Sequence, residues 1–369
     1  MSTDYEPARR RFMQLVGAGT VTAMGARPIL ANAGTGAISD ASSAESSAEP
    51  GSGTIHQFEM SIEERMVDVT PEFESKVWAY NEQVPGPLIH VREGDTIEAV
   101  LKNRTEEMHS IHWHGIPQTG TWRSDGAPGI TEPGVSSGSS HTYRFTANKP
   151  GTLWYHCHQG VPNHVGIRGM WGPLIVDPKD PIPLEREVTK DAILMFSGWN
   201  PDVAKDYFAL SDPTGGMRYF SINGRAFPHN QPLRVREGDV LRLRLMSVSA
   251  DVAFHLHGHD MLVTHQDGRP LNSPELVDVV YVAFGQRKDV IVRMNNPGRW
   301  PAHDHQEHHL SNDGKTPGGL FFVVEYEEIE HDPWYYWARK EYDPDFYFQE
   351  SLQRGYGLIE QPQFRGRSF

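Results

Sequence analysis

The sequence predicts an all-β protein built from two tandem antiparallel β-sandwiches, on three observations. From Thr54 onward, short runs alternate apolar and polar residues, as in "HVREGDTIEAVLKN" (90–103) and "HTYRFTANKPG" (141–151). A period of two sets one face of a strand against a core and the other toward water. Gly and Pro break these runs at short intervals, which marks turns between strands, and no long stretch carries a helical period with caps. The third observation is a duplication. "VREGD" occurs at 91–95 and 235–239, "HWHG" at 112–115 is answered by "HLHG" at 255–258, and "PGTLWYHCHQ" (150–159) aligns without a gap on "PGRWPAHDHQ" (297–306). Three landmarks in the same order at similar spacing read as one unit written twice.

The chain then divides in order. Residues 1–33 read as an address: Arg9, Arg10, Arg11, Phe12 and Met13 resemble a twin-arginine export signal. The stretch Leu15 to Ala26 is weakly apolar, and Ala31-Asn32-Ala33 has the small-x-small form of a cleavage site. That stretch is too short and too glycine-rich to span a bilayer, so no membrane partner is expected and the destination is periplasmic or extracellular. Residues 34–53, rich in Gly, Ser, Ala and Glu, form a linker that cannot bury a core. The first sandwich is expected over 54–177 and the second over 186–326, parted by the proline- and charge-rich "DPKDPIPLE" (177–185). Residues 327–369 form a tail outside both repeats. Its aromatic stretch "DPWYYWARKEYDPDFYF" (332–348) suits either a neighbouring subunit or the chain's own second domain.

Composition narrows the function. With 38% hydrophobic and 22% charged residues the chain is ordinary for a soluble globular protein. A formal charge of −14 excludes nucleic acid as a partner, because phosphate binding needs basic patches. A single cysteine excludes an intrachain disulfide. The 19 histidines, in contrast, cluster.

Four His-x-His pairs stand out: His112/His114, His156/His158, His255/His257 and His303/His305. On a strand, residues i and i+2 share a face, so each pair presents two imidazoles side by side while the middle residue points away. One such pair is ordinarily a surface or core feature. Four of them, two per repeat at matching positions, point to a metal, with copper suited to an all-imidazole set and zinc an alternative.

The lone Cys157 sits between His156 and His158, and so faces the other side of its strand. His109 lies three residues before His112, His164 seven after Cys157, and Met170 six further on. Two imidazoles, a thiolate and a weak axial thioether make a blue-copper electron-transfer site, from which electrons would pass through the Cys157 backbone to the flanking histidines. In the second repeat the cysteine position is Asp304 and the position of His109 is Val252, so both of those ligands are missing together while the histidine pairs remain.

These residues resemble the multicopper oxidases, in particular the two-domain laccase-like group with its type 1 copper in the first domain. The resemblance covers roughly 54–326 and rests on "HSIHWHG" (109–115), "HCH" (156–158) and their counterparts. It implies two cupredoxin-like Greek-key domains and four copper ions per chain. His109, Cys157, His164 and Met170 would be type 1 ligands, and His112 and His255 type 2 ligands. His114, His156, His158, His257, His303 and His305 would hold the paired type 3 coppers. "TWRSDGAPGITEPG" (121–134) also looks like the family's segment, with Asp125 the acidic residue that assists proton delivery. Two departures exist: the spacing from Cys157 to His164 is longer than in three-domain laccases, and Met170 is one residue further from its histidine. His308 and His309 follow the second loop without a cysteine and are expected at the surface or beside the ligands, as is His259.

The resemblance further implies a homotrimer with the trinuclear site between subunits, since each domain carries half of the ligands. The expected activity is one-electron oxidation of a small reducing substrate, a phenol, an aromatic amine or a low-valent metal ion, coupled to reduction of O₂ to water. A copper nitrite reductase is the alternative from the same two-domain plan, but it leaves His158, His257, His303 and His305 without a role. A non-enzymatic copper carrier is the third reading; the twelve methionines are scattered rather than run together.

Overall fold

The computed structural model describes residues 53–202, 216–329 and 359–360. The twin-arginine-like segment, the linker up to residue 52 and the aromatic stretch 332–348 lie outside the described residues.

Eight strands make the first sandwich: β1 (Ile55–Thr70), β2 (Phe73–Tyr80), β3 (Ile89–Arg92), β4 (Thr96–Asn103), β5 (His112–His114), β6 (Ser140–Thr146), β7 (Gly151–His156) and β8 (Trp171–Asp177). They form two four-stranded sheets, β2-β1-β4-β6 and β3-β8-β7-β5. The predicted alternation is visible in β4, where Ile97, Ala99 and Leu101 are buried and Glu98, Val100 and Lys102 are half-buried. Between the sheets lies a core that includes Tyr80, Leu101, Trp113, Tyr143, Tyr155 and Leu174, with Cys157 and Met170 in the same cluster. A short helix, α1 (Val161–His164), bridges β7 and β8.

The second sandwich follows another short helix, α2 (Pro183–Arg186), and runs β9 (Lys190–Trp199), β10 (Tyr219–Ile222), β11 (Leu233–Val235), β12 (Val240–Ser247), β13 (Val252–Leu256), β14 (Met261–Gln266), β15 (Arg269–Val277), β16 (Val279–Val282), β17 (Arg287–Arg293), β18 (Arg299–Asp304) and β19 (Phe321–Tyr326). One sheet is β10-β9-β12-β17-β14-β15 and the other β11-β19-β18-β13-β16. Residues 359–360 return to pair with β9.

The sheets are mixed rather than purely antiparallel. β1 pairs β4 in parallel and β3 pairs β8 in parallel, and the second sandwich repeats this with β9·β12 and β11·β19. A period of two reports a half-buried strand and carries no information on its partner's direction, which depends on how the chain crosses between sheets.

The two sandwiches share a seam. Trp154, Trp171 and Ile175 pack in one apolar cluster with Ile193, Met195 and Met246. Beside it, β12 buries Arg242 and Arg244, both paired with the buried Asp191, and Arg244 Nη1 donates to Thr152 Oγ1 of the first sandwich at 2.7 Å. Buried cations persist here because each guanidinium has a carboxylate partner.

Candidate metal centres

The structure brings His109, Cys157 and His164 together in the interior of the first sandwich, all three buried. Cys157 Sγ lies 3.2 Å from His164 Nδ1 and 3.9 Å from His109 Nδ1, and the two Nδ1 atoms are 3.3 Å apart. The chain around them fixes which nitrogens converge. Thr105 donates its hydroxyl to Asn103 Oδ1 at 2.9 Å, leaving its lone pairs to accept the His109 Nε2–H at 2.7 Å. The Nδ1 lone pair of His109 therefore points at the sulfur. His164 is delivered by α1, and Trp78 packs edge-on against both rings at 5.1 and 4.8 Å. Met170 is buried beside them; its carbonyl accepts the Cys157 N–H at 3.1 Å and its own N–H donates to the His164 carbonyl at 3.1 Å.

Electrostatics keep the imidazoles in the ligating form. Burial, reinforced by His164, lowers the His109 pKa to about 3, and burial beside Arg168 lowers that of His164 to about 4. Burial also pushes the Cys157 thiol up to about 11. A cation placed between them would reverse that last effect, since a coordinating thiol loses its proton.

On the opposite face of β7 the histidines gather. β5 and β7 pair with His112 opposite His156, and the metal-binding atoms of His112, His114 and His156 lie within 4.8 Å of one another. His158 joins them, its ring 5.2 Å from that of His112. His112 Nδ1 donates to the Asp125 carbonyl at 2.8 Å, and the Asp125 carboxylate stands 3.6 Å from the same nitrogen. His156 Nδ1 donates to the Cys157 carbonyl at 2.9 Å. In both rings the Nε2 is left to accept a metal.

The loop that carries Asp125 is laid directly over the His112 strand. Gly126 has a φ of +85°, and a Cβ there would come 1.8 Å from the Ile111 carbonyl oxygen, so only glycine allows this approach.

The second sandwich repeats the arrangement. β13 and β18 pair with His255 opposite His303, and the rings of His255, His257, His303 and His305 lie 4.8 to 5.8 Å apart. His255 Nδ1 donates to the Asp278 carbonyl at 2.7 Å, as His112 does to Asp125, and His303 Nδ1 to the Asp304 carbonyl at 2.8 Å, as His156 does to Cys157. No hydrogen bond or ring contact joins one quartet to the other among the described residues. His259 braces this half, its Nδ1 donating to the His257 carbonyl and its Nε2 bonded to Tyr326 Oη at 2.7 Å. His309 is buried and bonds Asp304 at 2.5 Å, whereas His308 is exposed.

Several contributors carry no sequence signal. Thr105 and its tautomer-fixing bond are one. Arg287 of β17 is another: it is buried, donates to the Thr152 and Gly285 carbonyls, and helps burial hold the His114 pKa down to about 3. Thr105 stands four residues ahead of the HSIHWHG motif without belonging to it, and Arg287 lies far from any motif. A cavity of about 240 Å³ adjoins α1, lined by Val161, Pro162 and Val165 on one side and by Met217, Phe220, Phe284, Asp251 and His308 on the other.

Family models described as multicopper oxidase match residues 61–181 and 200–315. Among solved structures, the chain is 51% identical to a multicopper oxidase designated mgLAC, with a TM-score of 0.75, covering 85% of this chain and 99% of that one. It is 43% identical to a blue copper oxidase from Nitrosomonas europaea, TM-score 0.73, covering 85% and 100%. Laccase-1 of Cryptococcus neoformans var. neoformans is 32% identical over 249 residues, 60% of this chain. The chain spans only 39% of the length of that curated relative.

Proposed function

This chain belongs to the multicopper oxidase family, and from that premise we propose that it is a laccase-like oxidase holding four copper ions. His109, Cys157, His164 and Met170 would hold the type 1 ion. His112 and His255 would hold the type 2 ion, and His114, His156, His158, His257, His303 and His305 the type 3 pair. The donor chemistry agrees with copper: neutral imidazole nitrogens and one thiol converge at the first site, imidazoles alone at the second. Bound copper would supply one-electron transfer at the thiolate site and the reduction of O₂ to water at the histidine cluster.

The protein's own part follows from β7. The observation that carries the reading is that Cys157 faces the core while His156 faces the cluster, one peptide apart. The His156 Nδ1–H bond to the Cys157 carbonyl adds a second link between the two sites. Asp125, whose carboxylate stands 3.6 Å from His112 Nδ1, would take the proton-delivering role that the resemblance implies. The cavity against α1 offers an apolar berth for a small aromatic reductant, with Asp251 and His308 as its polar groups.

Each quartet belongs to one sandwich, which supports a cluster completed by a neighbouring subunit in a closed head-to-tail ring, a homotrimer. Exposed apolar residues accompany both halves: Trp122 and Ile130 in the first, Val279 and Tyr281 in the second. The first 33 residues support export to the periplasm or beyond.

The test is copper per chain together with the blue thiolate absorption. About four ions with an intense blue band support the proposal; about two would leave half of the histidine pairs without a role and favour a nitrite reductase.

A further inference from the structure

Glu132 is a carboxyl that the proposed mechanism does not use, and its setting is unusual. Its side chain is 1% exposed, and among the described residues no lysine or arginine pairs with it. Oε1 accepts the Tyr143 hydroxyl at 2.9 Å, and Oε2 lies 3.2 Å from His141 Nε2 at ion-pair distance, without hydrogen-bond alignment and with no other hydrogen-bond partner. The His141 side chain is one-third exposed, so it opens this buried carboxyl to water. On the inner side, Tyr143 Oη accepts the Ile111 N–H at 2.9 Å, one residue from His112. Gly126 of the same loop lies against Ile111, and Asp125 stands beside His112.

We propose that Glu132 is a proton-loading site that takes up a proton from solvent through His141 when the Cys157 centre is reduced. The inference rests on the copper reading given above.

The groups in contact with Glu132 are His141 and Tyr143 of β6, and the charges of Asp125, Cys157 and Tyr80 lie near enough to couple to it. Burial raises the Glu132 pKa to about 7; the Tyr143 hydrogen bond opposes the rise and Asp125 adds to it. A group with that affinity changes protonation in response to a nearby unit of charge. Arrival of one electron at the Cys157 centre makes its surroundings more negative by one charge and favours protonated Glu132. The N–H bond of a His141 imidazolium breaks, the O–H bond of Glu132 forms, and His141 recovers a proton from water. Departure of the electron toward the histidine cluster would weaken that O–H bond, and the proton would return through His141 to water. The electron comes from the reducing substrate, so charge balances at each step.

The experiment pairs two readouts on wild type, Glu132→Gln and Glu132→Asp. Infrared titration of copper-free protein should show a protonated-carboxyl band that disappears through about pH 7, absent in Glu132→Gln. In copper-loaded protein the midpoint potential of the blue centre should fall as pH rises through the same region, a slope lost in Glu132→Gln and regained in Glu132→Asp. An unchanged slope in Glu132→Gln, or a wild type without the titrating band, overturns the proposal. Should Glu132→Gln not fold, His141→Phe serves: it should slow proton exchange into the wild-type band, and unchanged exchange overturns the route. Absence of a blue centre in wild type would defeat the copper reading instead, with the infrared result still deciding Glu132.

Discussion

Asp304 stands in the second sandwich where Cys157 stands in the first. The Cys157 N–H donates to the Met170 carbonyl and the Asp304 N–H to the Leu320 carbonyl, each at 3.1 Å. Met170 in turn donates to the His164 carbonyl, and Leu320 to that of His309. The backbone around Cys157 is thus repeated in a domain that has Asp304 and Val252 in place of its cysteine and His109. The Asp304 carboxylate fills the place with bonds of its own: to the Ala253 N–H at 2.8 Å, the Gln306 N–H at 3.0 Å and His309 Nδ1 at 2.5 Å.

Asp304 therefore ties β13 to the loop that presents His303 and His305. Asp304→Ala should destabilise the protein by about 2–4 kcal/mol, because charge-assisted bonds are lost and buried donors stranded. A shift in the denaturant midpoint with the blue band retained is the expected result. Asp304→Cys should create no second blue site, since Val252 supplies no nitrogen.

Cys157→Ser should remove the blue absorption and lower the copper content by about one ion per chain, while the histidine-held ions remain. Metal analysis and the visible spectrum check this together.

Asp191 should be the costliest single carboxylate to lose. Burial alone would raise its pKa, yet Arg242 and Arg244 hold it below the usual carboxylate range. Asp191→Ala leaves both guanidiniums buried without that partner, a change that typically costs about 3–5 kcal/mol. A depressed carboxyl contributes stability above its unfolded pKa and loses it as pH falls through the folded one, so the wild-type advantage over the variant should shrink in acid.

Glu132 has the opposite sign. Its folded pKa is raised from 4.5 to about 7, so its contribution is complete below the lower value and is lost as pH rises through the upper one. The stability of wild type minus that of Glu132→Gln should fall by on the order of 3 kcal/mol across this window. Urea titrations of the copper-free proteins at several pH values measure it.

Val279 is exposed and pairs in register with His255. Under the trimer reading, Val279→Asp should give a species of single-subunit mass that retains the blue band and loses the cluster copper. Light scattering with metal analysis distinguishes this from simple unfolding.

The duplicated sandwich and the clustered histidines could be read directly, because strand alternation and the pairing of ligands at i and i+2 are local properties. His112, Cys157 and His303 carry their geometry in their immediate neighbours. Glu132, Thr105 and Arg287 do not. What makes Glu132 notable is the distant Tyr143 hydroxyl and the lack of a cation, and Arg287 reaches His114 only because one sandwich packs on the other. Parallel pairing of β1 with β4 was hidden for the same reason, since alternation is identical whichever way a partner runs.

The path of β7 into the following loop has one more consequence. Trp154 belongs to the seam between sandwiches, Tyr155 to the core, His156 to the cluster and Cys157 to the buried triad. Four successive residues alternate between two faces, Trp154 and His156 on one and Tyr155 and Cys157 in the core on the other, and inserting or deleting one residue would send each side chain to the wrong face. This stretch should accept some substitutions in the laboratory and no change of length. The turn from Gln159 to α1, which brings His164 back to the sulfur, should bear an added residue better than the strand before it does.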